Sequence, residues 1–131
     1  MNRRSTPEAD AQRAIVQALR FALPRDAIVH HCVTEVTEAG PRGARRQSIL
    51  VGMGVHAGFA DLIVISGGRV LFLEVKSETG RLRKSQEVFR DNIVAQGFGW
   101  TLVRTVDDAL GALADHGFTS RVQLPGRRVA P

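Results

Sequence analysis

The chain has 131 residues and a formal net charge of +5, with 44% hydrophobic and 24% charged residues; this suits one domain with a real core and a polyanionic partner, and excludes a disordered or fibrous protein. Its one cysteine, Cys32, excludes an internal disulfide and a cysteine-built zinc site and suits a reducing, cytoplasmic setting. No apolar run is long enough to span a membrane, and the polar N-terminus has no signal-peptide apolar region.

Thr6-Pro7 reads as a helix start, with Thr as N-cap and Pro in the first turn. The helix is expected to end near Ala22, before Pro24. Glu8, Ala11, Ile15 and Leu19 recur on one face. An acid in the first turn complements the helix dipole; alternatively, Glu8 points across to an acidic site downstream.

Ala27 to Val36 is rich in β-branched residues and predicts a strand. His30 and His31 are adjacent, face opposite ways on a strand, and cannot chelate one metal together. Thr37 to Arg46 contains Gly40, Pro41 and Gly43, which predict a loop. Its Arg42, Arg45 and Arg46 suit bidentate contacts with phosphates. Gln47 to Val51 is expected to form a short strand. Gly52, Gly54 and Gly58, with His56 among them, let the chain bend freely on its way to Asp61.

Leu62 to Ser66 and Arg69 to Val75 are two apolar runs joined by Gly67-Gly68. Gly-Gly accepts the positive φ angles of a type I′ turn and predicts a tight hairpin. In that register Ser66 faces Arg69, Ile63 faces Phe72 and Asp61 faces Glu74, with Lys76 on the same side of the ribbon. Apolar side chains fill both faces nearer the turn, so both are expected to be buried. Two carboxylates opposed at the end of such a ribbon destabilise it unless something offsets their charge. A divalent cation between Asp61 and Glu74 would do so; a wet sheet edge with Lys76 paired to Glu74 would do so too.

A helix is expected from Arg83 to Gln96, stopped by Gly97, with Gln86 on the buried face beside Phe89 and Ile93. Gln86 must satisfy backbone groups near the hairpin end, or hold a water or phosphate there. Arg81, Arg83 and Lys84 gather at the helix N-terminus, which suits phosphate. Trp100 to Arg104 predicts a strand, and Asp107 to Ala114 a helix capped by Thr105 or Asp107. The basic segment from Thr119, with Arg121, Arg127 and Arg128, is expected to be a mobile tail, beyond an ordered core of about residues 6–115.

Gly58-Phe59-Ala60-Asp61-Leu62, Glu74-Val75-Lys76 and Gln86 together resemble the VRR-NUC domain of the PD-(D/E)XK nuclease superfamily. The likeness runs from about Thr6 to Leu113. It departs at Ala60, where the family often has Pro, a residue that shapes backbone rather than doing chemistry. The resemblance implies an α/β, restriction-endonuclease-like αβββαβ core with a mixed central sheet flanked by helices. It also implies that Asp61, Glu74 and the Val75 carbonyl hold Mg²⁺ or Mn²⁺, with Glu8 as a further acid. Lys76 would orient or deprotonate water or neutralise charge, and Gln86 would position water or phosphate. The expected function is a metal-dependent DNA endonuclease, selective for branched DNA in the manner of a Holliday-junction resolvase. Stand-alone relatives imply a homodimer and a bacterial or phage origin. The alternative is a non-catalytic nucleic-acid-binding domain that keeps the fold.

Overall fold

A computed structural model describes residues 6–33 and 40–126. Its elements are α1 (Pro7–Ala22), β1 (Ile28–His31), α2 (Gly40–Gly52), β2 (Leu62–Ser66), β3 (Arg69–Val75), α3 (Lys84–Ala95), β4 (Gly99–Val103) and α4 (Val106–Asp115). The four strands form one sheet in the order β1-β2-β3-β4. The first two pairings are antiparallel and β3–β4 is parallel. The sheet is therefore mixed, and the αβββαβ order holds with α2 inserted after β1 and α4 appended.

The hairpin has the expected register, with Ser66 opposite Arg69, Ile63 opposite Phe72 and Leu62 opposite Leu73. Gly67 and Gly68 take φ of 59° and 77°, the left-handed pair that a type I′ turn needs. One sheet face, with Leu62, Val64, Leu71, Leu73 and Val75, packs on Ile15 and Leu19 of α1 and on Ala109, Ala112 and Leu113 of α4. The other, with Ile63, Val70, Phe72 and Trp100, packs around Phe89 and Ile93 of α3. This second face is only partly covered: Ile65 is 39% exposed and its neighbour Ile28 54%. The expectation of burial on both faces thus fails toward the turn, because α3 lies over β4 and not over β1.

The helix caps follow local chemistry. Thr6 Oγ1 accepts from the Ala9 N–H at 3.1 Å and Thr105 Oγ1 from the Asp108 N–H at 3.1 Å. Each satisfies a donor that the helix itself cannot.

Three expectations are corrected. Gly40 to Gly52 is a helix, not a loop followed by a short strand. Pro41 falls in the first turn, where a missing N–H costs nothing. Ala44, Arg45, Arg46, Gln47 and Leu50 are good helix formers and outweigh Gly43. Strand β1 ends at His31; the remainder of that expected strand beyond Val33 and the start of the expected loop lie outside the described residues. Finally, the segment expected as a mobile tail from Thr119 is tied to the fold at Ser120, Arg121, Val122 and Leu124. The Arg121 N–H donates to Ala22 O at 2.6 Å, and its Nη2 to Arg20 O and to Phe21 O, both at 3.0 Å. A guanidinium thus satisfies the free carbonyls at the α1 C-terminus. Val122 and Leu124 pack against the core. Arg127 and Arg128 lie outside the described residues.

Candidate functional site

Asp61 lies one residue before β2 and Glu74 one residue before the end of β3, so the hairpin register sets them side by side. Each backbone is held. The Cys32 N–H donates to Asp61 O at 2.8 Å, and the Val75 N–H donates to Asp61 Oδ2 at 2.8 Å. The Lys76 N–H continues the β3–β4 ladder to Val103 O. Asp61, Glu74, Lys76 and Gln86 are 8%, 1%, 6% and 8% exposed. Four polar side chains buried at one sheet end need a compensating interaction.

Part of that compensation comes from the protein. Gln86 Nε2 donates to Glu74 Oε1 at 2.9 Å, and Lys76 Nζ lies 3.7 Å from the same oxygen. No donor reaches Glu74 Oε2 among the described residues. Burial, and then the neighbouring charge of Asp61, push the Glu74 carboxyl up to about 9, against the opposing pull of Lys76. Glu8 adds a smaller push in the same direction. The two carboxyls are close enough to share a proton. One ammonium against two carboxylates leaves the pair a positive charge short, and a proton or a cation must supply it. Burial, and then Asp61, also push the Cys32 thiol up, which keeps it an unreactive neighbour.

The donor set fits a hard divalent cation: it is all oxygen and includes an unpartnered buried carboxylate oxygen. Among the described residues no three His, Cys, Asp or Glu side chains converge as a ligand group. A cation here would therefore draw on two carboxylates plus backbone oxygen and water. Glu8 bears on Glu74 through its negative field.

The sequence matches no family model and no curated protein. Among solved structures it is similar to a "VRR_NUC domain protein", with a TM-score of 0.62 and 18% identity over 87% of this chain and 90% of that chain. The chain has a VRR-NUC-like fold.

In this VRR-NUC-like fold the first turn of α3 is pressed against the approach to Asp61. Gly58 has φ of 75°, and a Cβ there would meet Ser85 O at 2.2 Å and Gln86 N at 2.7 Å. Phe59 packs at a tilt against Phe89, ring centres 4.7 Å apart, and meets Phe72 edge-on. These contacts carry Gln86 to Glu74. Gln86 Oε1 in turn accepts from the Arg83 N–H at 2.9 Å, so both ends of the amide are engaged within the protein. His56 packs edge-on against Phe89 and its Nδ1 lies 2.8 Å from Ala57 O; it does not join the carboxylates.

A cleft of about 620 Å³ opens onto Asp61, lined by Glu8, Gln12, Arg13, His31 and Ser77 among others. Glu8 thus lines the same cleft as Asp61. His31 reaches this cleft without His30; the sequence placed both inside an expected strand from Ala27 to Val36, facing opposite ways. Arg81, Arg83 and Lys84 are exposed around the α3 N-terminus. Arg42, Arg45 and Arg46 share a face of α2 and line a separate groove with Ile49 and Leu50. No helix among the described residues is long and apolar enough to cross a membrane.

Proposed function

We propose that this chain is a metal-dependent DNA endonuclease that hydrolyses phosphodiester bonds and prefers branched DNA. The observation that carries the reading is the buried Asp61–Glu74 pair, short of one positive charge, with Lys76 and Gln86 on one oxygen of Glu74. Paired carboxylates and a lysine at a sheet end on a VRR-NUC-like fold suit phosphodiester hydrolysis.

Asp61, Glu74 and the Val75 carbonyl would hold Mg²⁺ or Mn²⁺. Such an ion, when bound, polarises the phosphate and lowers the pKa of a coordinated water. Gln86 keeps Glu74 in its rotamer through the 2.9 Å bond to Oε1. Lys76 brings a cation close to the reacting phosphate, where its charge counts most in a water-poor pocket. Glu8 borders the cleft beside Asp61 and can order water there. The exposed Arg42, Arg45, Arg46, Arg81, Arg83 and Lys84 suit backbone phosphates, which carry affinity but no base sequence. Selectivity would then follow DNA shape. The proposal includes a homodimer, for which the exposed Ile49 and Val51 of α2 and Met53 just beyond it offer apolar surface.

The test is cleavage of labelled four-way junction, flap and linear duplex with Mg²⁺, Mn²⁺ or EDTA, with Asp61→Ala and Glu74→Ala as controls. Metal-dependent cutting of the junction, lost in both variants with DNA binding retained, is the expected result. Tight binding with no cutting under either metal would favour a non-catalytic nucleic-acid-binding domain instead. Light scattering of the purified chain checks the homodimer.

A further inference from the structure

We infer that Arg104 is a positioning residue for the proposed reaction, acting on Lys76 through the turn at residues 77–80; the inference rests on the nuclease reading. Arg104 follows β4 directly, and the parallel β3–β4 pairing delivers it beside the residues that follow Lys76. Its Nη1 donates to Gly80 O at 2.8 Å, to Glu78 O at 3.3 Å and to Ser77 O. One guanidinium nitrogen thus gathers three carbonyls of a single turn.

Both ends of this clamp are fixed. The Arg104 N–H donates to Asp108 Oδ2 at 2.9 Å, in the first turn of α4. The turn closes on itself through the Gly80 N–H to Ser77 O bond at 3.1 Å. It also folds back on the lysine: a Cβ at Gly80 would lie 3.5 Å from Lys76 Cβ and 3.1 Å from Ser77 Oγ. Lys76 therefore has β4 on one side, through its N–H to Val103 O, and the clamped turn on the other. Carbonyl oxygens are left over wherever a strand ends in a turn, and a cation that collects them fixes the turn's shape. The same turn leads into Arg81, Arg83 and Lys84, so Arg104 also sets where α3 begins relative to Lys76.

The experiment is single-turnover cleavage of the four-way junction by wild type, Arg104→Ala, Arg104→Lys, Lys76→Ala and the double variant. Junction affinity in EDTA and thermal melting are measured beside it. Arg104→Ala is expected to slow cleavage about ten- to hundredfold, the loss that follows displacement of a reacting group by around an ångström. Junction affinity is expected to stay within about twofold, since Arg104 Nη1 is spent on the protein's own carbonyls. Arg104→Lys should recover part of the rate, and the double variant should be no slower than Lys76→Ala. Wild-type rates in Arg104→Ala, or losses that multiply in the double variant, would overturn the inference and leave the nuclease reading standing. Should Arg104→Ala fail to fold, the same comparison is made with Arg104→Lys. If wild type cleaves nothing, the nuclease reading fails, and amide exchange at Glu78 to Gly80 with the Lys76 Cε resonance decides. Faster exchange and a moved resonance in the variant support the coupling; an unchanged pair refutes it.

Discussion

Gln86 and Glu74 are joined by a buried 2.9 Å hydrogen bond from Nε2 to Oε1, while the other end of the same amide accepts from the Arg83 N–H. The first turn of α3 and the end of β3 are thus locked through one side chain. Gln86→Leu removes both bonds without adding bulk. It is expected to cost about 1–3 kcal/mol in urea unfolding, because it strands a buried carboxylate oxygen. Cleavage should slow about ten- to a hundredfold, the usual loss when a residue orienting a metal ligand is removed. Gln86→Glu is isosteric but adds a third negative charge, so it should unfold more easily above neutral pH and recover on adding Mn²⁺. A Gln86→Leu protein as stable and as active as wild type would show that the bond is incidental.

The Glu74 carboxyl supplies a pH dependence of known sign. It is pushed up to about 9 in the folded protein, against about 4.3 for a glutamate in an unfolded chain. The folded state therefore holds the proton more tightly. Its contribution to stability is fully present below about pH 4.3 and is lost as pH rises toward 9. In EDTA, Glu74→Gln should melt above wild type at pH 8 by about 4 °C or more, roughly 1 kcal/mol for a domain of this size, and by much less at pH 5. Mn²⁺ should raise the melting temperature of wild type at pH 8 and leave Glu74→Gln unmoved. Equal melting temperatures for the two proteins at both pH values would contradict the charge deficit at the Asp61–Glu74 pair.

Gly58 is required twice over. Its φ of 75° disfavours any side chain, and a Cβ would run into the Ser85 carbonyl at 2.2 Å, which is backbone and cannot swing aside. Gly58→Ala is expected to destabilise the domain by about 2–4 kcal/mol, adding left-handed strain to overpacking. Because α3 must back away, the Gln86–Glu74 bond should loosen, and metal-dependent cleavage should fall further than the folded fraction does. Gly54, also at positive φ but with open space around it, is the control: Gly54→Ala should show only the strain.

The site was legible where a local rule governs it. Gly67-Gly68 forces the turn, the turn forces the register, and the register sets Asp61 beside Glu74. Thr6-Pro7, Thr105 and Gly97 likewise mark helix ends by their own chemistry. What escaped reading depends on partners distant in sequence. Gln86 could be placed on a buried face, but periodicity does not say whether its amide meets a carboxylate or a phosphate. Arg104 and Arg121 both spend their guanidinium groups on main-chain carbonyls, and every residue has one, so no sequence pattern betrays them. The helix α2 was hidden by Gly40, Pro41 and Gly43, which break structure in mid-element but are tolerated in a first turn.

That helix changes what its arginines can do. Arg42, Arg45 and Arg46 recur at helical spacing with Ile49 and line one groove, a fixed basic face rather than a flexible loop. All three are exposed, so replacing them with Gln should leave the melting temperature within about 2 °C, as surface changes usually do. Each arginine that neutralises a phosphate contributes about 0.9 to the slope of log affinity against log salt. The triple variant is therefore expected to bind junction DNA more weakly in EDTA, with the slope reduced by about two to three. The loss should be nearly equal for DNAs of different sequence, because phosphate contacts read no bases. A triple variant with unchanged affinity and slope would remove α2 from the DNA path and leave the contacts to Arg81, Arg83 and Lys84.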